Sequence, residues 1–582
     1  MNRCFSIVLC SLFTTVLGAA ELDRTFVSPP AGAEIDTPLS ATLSWSYPAY
    51  HASFTPSAKM RIEVSARQDM SRPIVAIELP ENQTRYRIAL APQTTYYWRL
   101  TPIDGGGARA DSRLSHFTTG APRIDATDDD RIRYKNPRRG AHWTGMKPVE
   151  FAEDEALSPW FDRKALLDSA MPTFEQLKDR FPVPVLDGHP EAIDAYWYCW
   201  KTLLSVWYFA PDAQDHQAVA NLCGIKSWGA WGSTMVFDTA FILHFARYGQ
   251  QAYPFVTAYD NCYARQHENG LQEADDSPRN ALMHYAVSAT SHQALAARYL
   301  ARIAKTIGRE DMVGFFEGEH RQLSEMVNAR FWDEKHGIYN DLDANEKFIT
   351  ELKPGSLCKH VHMFWPLLAG IAPADRVERM VKELNNPASF NRRNGVPSLS
   401  ADSAGYTGGP NGNGQYWCGA VWPSGQMIVQ EGLRASGREE DWHKLAEKYF
   451  AAQLEVFTKE KTIKENMAPD LAMGCGVPEF VGWGGIGPVA NLIEAVIGLD
   501  INAPENTITW RVHRTERHGL KNFTLNGFQV DLLCDARKSA GDPCKITIHS
   551  GGAFTLKLIG AGQKKELKIM RGEQSVVIGP TP

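Results

Sequence analysis

What most limits the fold of this chain is a double change of hydrophobic period. From about Phe26 to Thr119, short stretches alternate apolar and polar residues between Pro, Gly and Asn, as in Ala41-Thr-Leu-Ser-Trp45, Met60-Arg-Ile-Glu-Val64, Tyr86-Arg-Ile-Ala-Leu90 and Tyr96-Tyr-Trp-Arg-Leu100. A period of two broken by turn residues predicts a β-sandwich. From His189 the step becomes three and four, so that Ile193, Tyr196, Trp197, Trp200, Leu203, Leu204 and Trp207 share one helical face. The helical theme then continues, with helices predicted over Ser233 to Tyr248, Ala252 to Arg265, Arg279 to His292, Gln293 to Ile307, Val313 to Phe331, His360 to Ala369, Asp375 to Leu384, Cys418 to Ala435, Trp442 to Glu460 and Pro488 to Gly498. After Asp500 strands return, for example Thr507-Ile-Thr-Trp510 and Gln529-Val-Asp-Leu-Leu533.

At roughly 150 residues per domain, a chain of 582 residues is long enough for several domains. The expected architecture is multidomain: a signal peptide over 1–20, a β-sandwich over 25–120, a polar linker over 121–185, a helical domain over 186–500 and a small C-terminal β domain over 501–582. Antiparallel helix pairs without a sequence repeat suggest an (α/α) toroid barrel more than a solenoid. Within the sandwich, "TTYYWRLTPID", a Gly-rich turn and "SRLSHFTTG" resemble a fibronectin type III module.

Arg3, the apolar run Phe5 to Leu17 and the small residues Gly18, Ala19 and Ala20 have the layout of a cleaved secretory signal. The expected location is the periplasm or the extracellular space. No later apolar run is long enough for an integral membrane span. A formal charge of −6 gives no reason to expect nucleic acid as a partner, and a neutral substrate fits better. Sixteen tryptophans suit an oligosaccharide or glycan, because indole faces stack on the C–H faces of sugar rings. Of the ten cysteines, Cys4 and Cys10 fall in the signal, and the rest are too sparse for a disulfide framework. Cys534 and Cys544, at the ends of a predicted hairpin, read equally as a disulfide pair or as free thiols. No cysteines or histidines stand at zinc-ligand spacing with a second matching pair, so neither a metal nor a cofactor is expected.

Glycoside cleavage needs an acid to protonate the leaving oxygen and a second carboxylate to activate water or to attack. Two acidic segments sit in Gly- and aromatic-rich surroundings. Glu273-Ala-Asp-Asp-Ser-Pro-Arg279 precedes a predicted helix, and it also reads as a plain helix start with Asp276 or Ser277 as cap and Pro278 in the first turn. Ile463-Lys-Glu-Asn-Met467 opens a loop containing Glu479 and Trp483, where Glu465 also reads as a solvated carboxylate just past a helix end. Tyr416-Trp-Cys-Gly-Ala-Val-Trp422 offers aromatics for either sugar stacking or core.

These segments, in this order, carry a resemblance. With "STMVFDTAFILHFARYG", "AYDNCYARQHENG", "DDSPR", "FNRRNGVPSLSAD", "GQYWCGAVWPSG", "IKENMAPD" and "PEFVGWGGIGPVANLIEAVIGLD", the chain from about Leu186 onward resembles the (α/α)6-barrel, or six-hairpin, glycosidase clan of glycoside hydrolase family 63, trehalases and mannosylglycerate-hydrolase-like proteins. The resemblance implies a hydrolase that cleaves an α-linked sugar with inversion, with Asp275 as general acid and Glu465 as general base. It further implies that Asp238 holds a sugar hydroxyl and that Phe237, Tyr416, Trp417, Trp422 and Trp483 wall the pocket, while Arg265, Gln266 and Arg279 are weaker substrate-binding candidates. The chain departs from the family pattern at several points. Phe237 replaces Trp, Cys418-Gly419 replaces an arginine, and Met467 replaces Tyr after Glu-Asn. Leu271 to Ala274 replace a segment that supplies about two helices, which leaves room for fewer than twelve and makes Glu273 and Asp276 fallback acids. The competing readings are a polysaccharide lyase, with His284, His292 and Tyr406 available, and a glycan-binding protein that has lost catalysis.

Overall fold

The computed structural model of the chain describes residues 26–35, 40–45, 59–80, 83–103, 113–120, 173–209, 218–220, 236–253, 255, 285–343, 345–353 and 355–579. The expected signal peptide and most of the expected linker lie outside them. The chain divides into two compact units, one of residues 1–135, 150–156 and 296–321, the other of residues 136–149, 157–295 and 322–582.

In the first unit the alternating segments form a three-stranded sheet and a five-stranded sheet. Their inward residues, among them Leu43, Trp45 and Ile88 from the smaller sheet and Ile62, Val64, Trp98 and Phe117 from the larger, make one buried cluster. Strand Thr95–Ile103 is pinned at its start, because the Ala91 N–H donates to Tyr96 Oη at 2.9 Å. That hydroxyl donates in turn to Asp311 Oδ2 at 2.9 Å. Residues 296–321 join this unit through a small cluster of Ala91, Ala301, Ala304, Met312 and Phe316.

The second unit holds a helical region and a β region. Helix Pro190–Val206 begins with proline, whose fixed φ and missing N–H suit a first turn. It buries Ala192, Ala195, Tyr196, Cys199, Trp200 and Leu203, a stripe turned slightly from the predicted one so that small residues permit close packing. Further helices span Val236–Ala246, Ala374–Leu384, Pro423–Ala435 and Glu439–Glu460. Among them lies Ile486–Ile497, a π-helix all of whose residues are buried and which is apolar on every side except at Asn491 and Glu494. It ends at Gly498, where φ is +90° and a Cβ would collide with the Arg511 carbonyl, so only glycine fits.

Several expectations change. The two helices expected over Arg279 to His292 and Gln293 to Ile307 are replaced, among the described residues, by one continuous helix, Val287–Thr306, because Tyr285 bridges to Leu342 instead of winding. His360 to Ala369 forms a 3-10 turn, Val361–Phe364, followed by one α-helical turn, Trp365–Leu368. The C-terminal β region is built of a four-stranded and a five-stranded sheet, and the second recruits Val183–Leu186, which pairs with His518–Leu525 although the sequence places it at the linker. Strand Leu499–Asn502 likewise starts the other sheet just ahead of the expected boundary. Cys534 and Cys544 are buried free thiols.

Glu494, the sole charge on the buried π-helix, accepts from Arg247 Nη2 at 2.6 Å, from Tyr248 Oη at 2.8 Å and from Arg434 Nη1 at 2.8 Å. Burial pushes its carboxyl up, but Arg247 and Arg434 outweigh burial and hold it below the usual carboxylate range. Glu494→Ala, which takes from Arg247 and Arg434 the carboxylate they share and leaves Arg434 only Glu431 and Asp500, is expected to cost about 1–3 kcal/mol of unfolding free energy in a denaturant titration. Because the folded carboxyl titrates low, this stabilisation is present above its unfolded pKa and is lost as pH falls through the folded value. The gap between parent and Glu494→Gln is therefore expected to narrow in acid.

Candidate active site

Glu465 does not lie on a solvated loop. It sits in strand Lys464–Met467, which pairs antiparallel with Gly474–Pro478 inside the segment expected to be irregular. On its other edge the strand meets Val421, with Val421 N–H to the Met467 carbonyl at 2.8 Å and Met467 N–H to the Val421 carbonyl at 3.0 Å. The strand carrying Glu465 is thus held by main-chain bonds on both sides.

The pairing slips by one residue between Lys464 and Asn466, and the extra residue falls in the Gly476–Val477 part of the partner strand. Gly476 has φ +77°, and a Cβ there would collide with Glu465 Oε2. The bulge and its glycine together leave room for the carboxyl group.

Around that group the third sequence segment closes in. Tyr416 Oη donates to Glu465 Oε1 at 3.1 Å. Tyr416 adopts φ +65°, a left-handed conformation that costs a tyrosine backbone energy, and the Trp422 indole N–H donating to its carbonyl at 3.1 Å helps hold it there. The Tyr416 ring stands edge-on to Trp422 at 4.6 Å, Trp422 stacks flat on Trp417 at 4.2 Å, and Trp483 meets Trp422 edge-on at 5.5 Å. The Trp483 indole N–H donates to the Glu465 carbonyl at 3.0 Å. Of the four rings only Tyr416 is exposed, at 40%, whereas Trp417, Trp422 and Trp483 are buried. The three tryptophans therefore form a backing wall, and Tyr416 is the ring that faces outward.

Glu465 itself is 7% exposed. Burial raises its pKa above the ordinary carboxylate value, against the lowering effect of the Tyr416 hydroxyl and the Val477 backbone N–H. Beside it Asn466 is 1% exposed, and both polar atoms of its amide lack a hydrogen-bond partner among the described residues. A buried amide left open in this way costs about 1–3 kcal/mol.

The loop bearing Tyr416 is fastened below by residues that sequence reasoning missed. Arg392 grips Asp470 with Nε to Oδ1 at 3.0 Å and Nη2 to Oδ2 at 2.9 Å. Asp470 also accepts from the Gly409 N–H at 3.1 Å and from Tyr406 Oη at 3.4 Å. Asn394 donates to the carbonyls of Ala468 and Leu471 at 2.8 and 2.6 Å. "FNRRNG" and "IKENMAPD" are thus two halves of one clamp, a relation that no local pattern in either could disclose.

Phe237 and Asp238 lie on helix Val236–Ala246, whose Phe241 meets Trp483 edge-on at 6.4 Å. Asp275, its fallbacks Glu273 and Asp276, and Arg265, Gln266 and Arg279 lie outside the described residues, as does His284. The structure therefore brings together Glu465, Tyr416, Trp417, Trp422 and Trp483. A groove of about 720 Å³ lined by His189, Glu191, Glu447 and Arg514 contains none of them.

Removing the Tyr416 hydroxyl takes away a bond that favours the charged carboxylate. Tyr416→Phe is therefore expected to move the acidic limb of any Glu465-dependent pH–rate profile to higher pH, read from kcat/KM against pH. The raised folded pKa also means that ionised Glu465 opposes folding increasingly as pH rises from its unfolded value through its folded one. Glu465→Gln is expected to raise the melting temperature at neutral pH and to lose that advantage in acid.

Comparison with known proteins finds similarity over the part of the chain that holds this geometry. The profile of the mannosylglycerate hydrolase MGH1-like glycoside hydrolase domain matches residues 240–483, a span that contains Glu465 and the aromatic wall. An uncharacterized protein of Borreliella burgdorferi is 25% identical over 331 residues, covering 53% of this chain and 67% of its own. A mannosylglycerate hydrolase of Rubrobacter radiotolerans is 28% identical over 188 residues, 32% of this chain and 38% of that enzyme. Among solved structures, the GH63 mannosylglycerate hydrolase of Thermus thermophilus in complex with Tris aligns at 22% identity and a TM-score of 0.30, covering 35% of this chain and 45% of that one. The chain spans less than half the length of these two mannosylglycerate hydrolases. Over residues 240–483 the chain is thus similar to the mannosylglycerate hydrolase MGH1-like glycoside hydrolase domain.

Proposed function

We propose that the chain is an exported glycoside hydrolase that cleaves an α-linked sugar with inversion, on a helical domain of the (α/α) toroid type. The observation that carries this reading is the buried Glu465 carboxylate, framed by an aromatic wall, touched by one hydroxyl and flanked by the open amide of Asn466. Burial, which raises its pKa, strengthens the attraction of the ionised carboxylate for the proton of an attacking water. Similarity to a mannosylglycerate hydrolase supports a small α-linked glycoside as substrate.

In this mechanism Asp275 gives its proton to the glycosidic oxygen as the C1–O bond breaks. Water attacks C1 from the opposite face and passes its proton to Glu465, so the two carboxyl groups end with exchanged protonation states. Tyr416 holds the Glu465 carboxylate for that attack and offers its exposed ring edge to the sugar. Asn466 supplies a donor and an acceptor to a sugar hydroxyl or to the attacking water. Asp238 is assigned to a second sugar hydroxyl. The N-terminal β unit, read as fibronectin type III-like, is assigned a spacing or positioning role.

The lyase reading finds less support. Tyr406, its one described tyrosine candidate, donates to Asp470 within the loop clamp, and burial followed by Asp470 pushes its hydroxyl pKa well up, away from the range of a base. Asp275→Asn and Glu465→Gln are each expected to leave the fold intact and to reduce turnover of an α-mannoside such as mannosylglycerate by about 10²–10⁴-fold. Proton NMR of the first product formed is expected to show the β anomer. Near-parental rates in both variants, or an α anomer appearing first, would overturn the assignment.

A further inference from the structure

Away from Glu465, the helix Glu439–Glu460 places His443 and Glu447 one turn apart, and His513 follows strand Thr507–Val512. The His443 ring nitrogen Nε2 lies 3.2 Å from the Ala495 carbonyl, and His513 Nδ1 lies 2.9 Å from the Arg511 carbonyl. A carbonyl oxygen only accepts, so each of these nitrogens carries the ring proton. In the neutral imidazoles the other nitrogens, His443 Nδ1 and His513 Nε2, are bare lone pairs. Both face Glu447, at 3.7 Å from Oε2 and 3.5 Å from Oε1, and His513 Nε2 is buried with no hydrogen-bond partner among the described residues. Two lone pairs turned on a carboxylate repel one another unless something positive stands between them.

We propose that His443 Nδ1, Glu447 and His513 Nε2 form a binding site for a divalent transition-metal ion of the zinc type. Ligand atoms about 2.1 Å from a tetrahedral ion stand roughly 3.4 Å apart, close to the two separations seen, and all three candidate atoms lie within 4.8 Å of one another. Backbone carbonyls on the far ring nitrogens are the outer partners that fix tautomer and ring orientation in metal-bound histidines. A proton on His513 Nε2, paired with Glu447 at 3.5 Å, is the competing filling, and a parent chain that takes up no metal would favour it. Of the flanking cations, Arg511 pairs with Glu439 through Nη2 at 3.0 Å while its buried Nη1 has no hydrogen-bond partner among the described residues, and Arg514 pairs with Glu516 at 3.5 Å. Glu447 also lines the groove of about 720 Å³, which gives the ion an entry path and leaves a coordination position for water.

A second such cluster among the described residues, His244, Glu431 and Glu494, differs because Arg247 and Arg434 already neutralise its central carboxylate. The ion bound by His443, Glu447 and His513 ties a helix of the helical region to the end of a β strand, so its role is bracing and not turnover. This site escaped the sequence because its third ligand comes from a distant element and no cysteine or paired spacing announces it.

The test uses the full chain after removal of metal by a chelator, titrated with Zn²⁺ by calorimetry and with Co²⁺ by visible absorption. One equivalent is expected to bind, with the d–d bands of a low-coordinate cobalt site and a rise in melting temperature of about 2 °C or more at saturating Zn²⁺. Glu447→Gln and His513→Ala, each checked by circular dichroism to be folded, are expected to weaken binding more than about tenfold. Equal metal uptake and equal thermal response in the parent and in a folded His443→Ala/His513→Ala variant would overturn the proposal.

Discussion

The contact on which the second unit depends most is the ion cluster around Glu494. A helix with apolar residues on nearly every side has no preferred face, so hydrophobic burial alone fixes neither its rotation nor its register among its neighbours. One carboxylate gripped from Arg247, on one segment, and from Arg434, on another, removes that freedom. The helix begins just after Trp483, so its setting passes directly to the ring that binds the Glu465 backbone. A buried ion pair is poor evidence for stability in general, because desolvation offsets much of the attraction. Here its clearest effect is on position.

The site is built by main-chain bonding first and side-chain contact second. Strand Lys464–Met467 is fixed between Val421 and Gly474–Pro478, and the bulge at Gly476 turns that rigidity into space for a carboxyl group. Tyr416 is then aimed by a strained backbone that Trp422 and the Arg392–Asp470 clamp below help to sustain. Strain at this residue and an unsatisfied amide at Asn466 are local costs, and the well-packed surroundings are what allow the fold to bear them.

Much of this could be read from the chain, and the remainder divides along a physical line. The periods of two and of three to four located the β regions and the helices, because those patterns are written in neighbouring residues. Motif order singled out the aromatic segment and Glu465 as candidates, and the fold places them side by side. The Tyr416–Glu465 bond spans 49 positions, and the Arg392–Asp470 pair spans 78. Such partners carry no periodic signature, since an arginine that clamps a loop looks like any surface arginine until the fold closes. The same holds for Val183–Leu186, whose apolar alternation is too short to announce that it completes a sheet more than three hundred residues away. The reading of Glu465 as solvated failed because the helix ending at Glu460 gave no hint of the two-stranded turn that follows it.

Met467 meets Val421 through its N–H and carbonyl, while its side chain is buried in the core beneath the carboxylate two residues earlier. Whatever follows Glu-Asn must therefore fit that core, while the hydroxyl on Glu465 is furnished by Tyr416 from another segment altogether. The geometry around Glu465 is thus held jointly by strand pairing and by the packed rings and core beneath it, so a substitution in either is felt at the carboxylate.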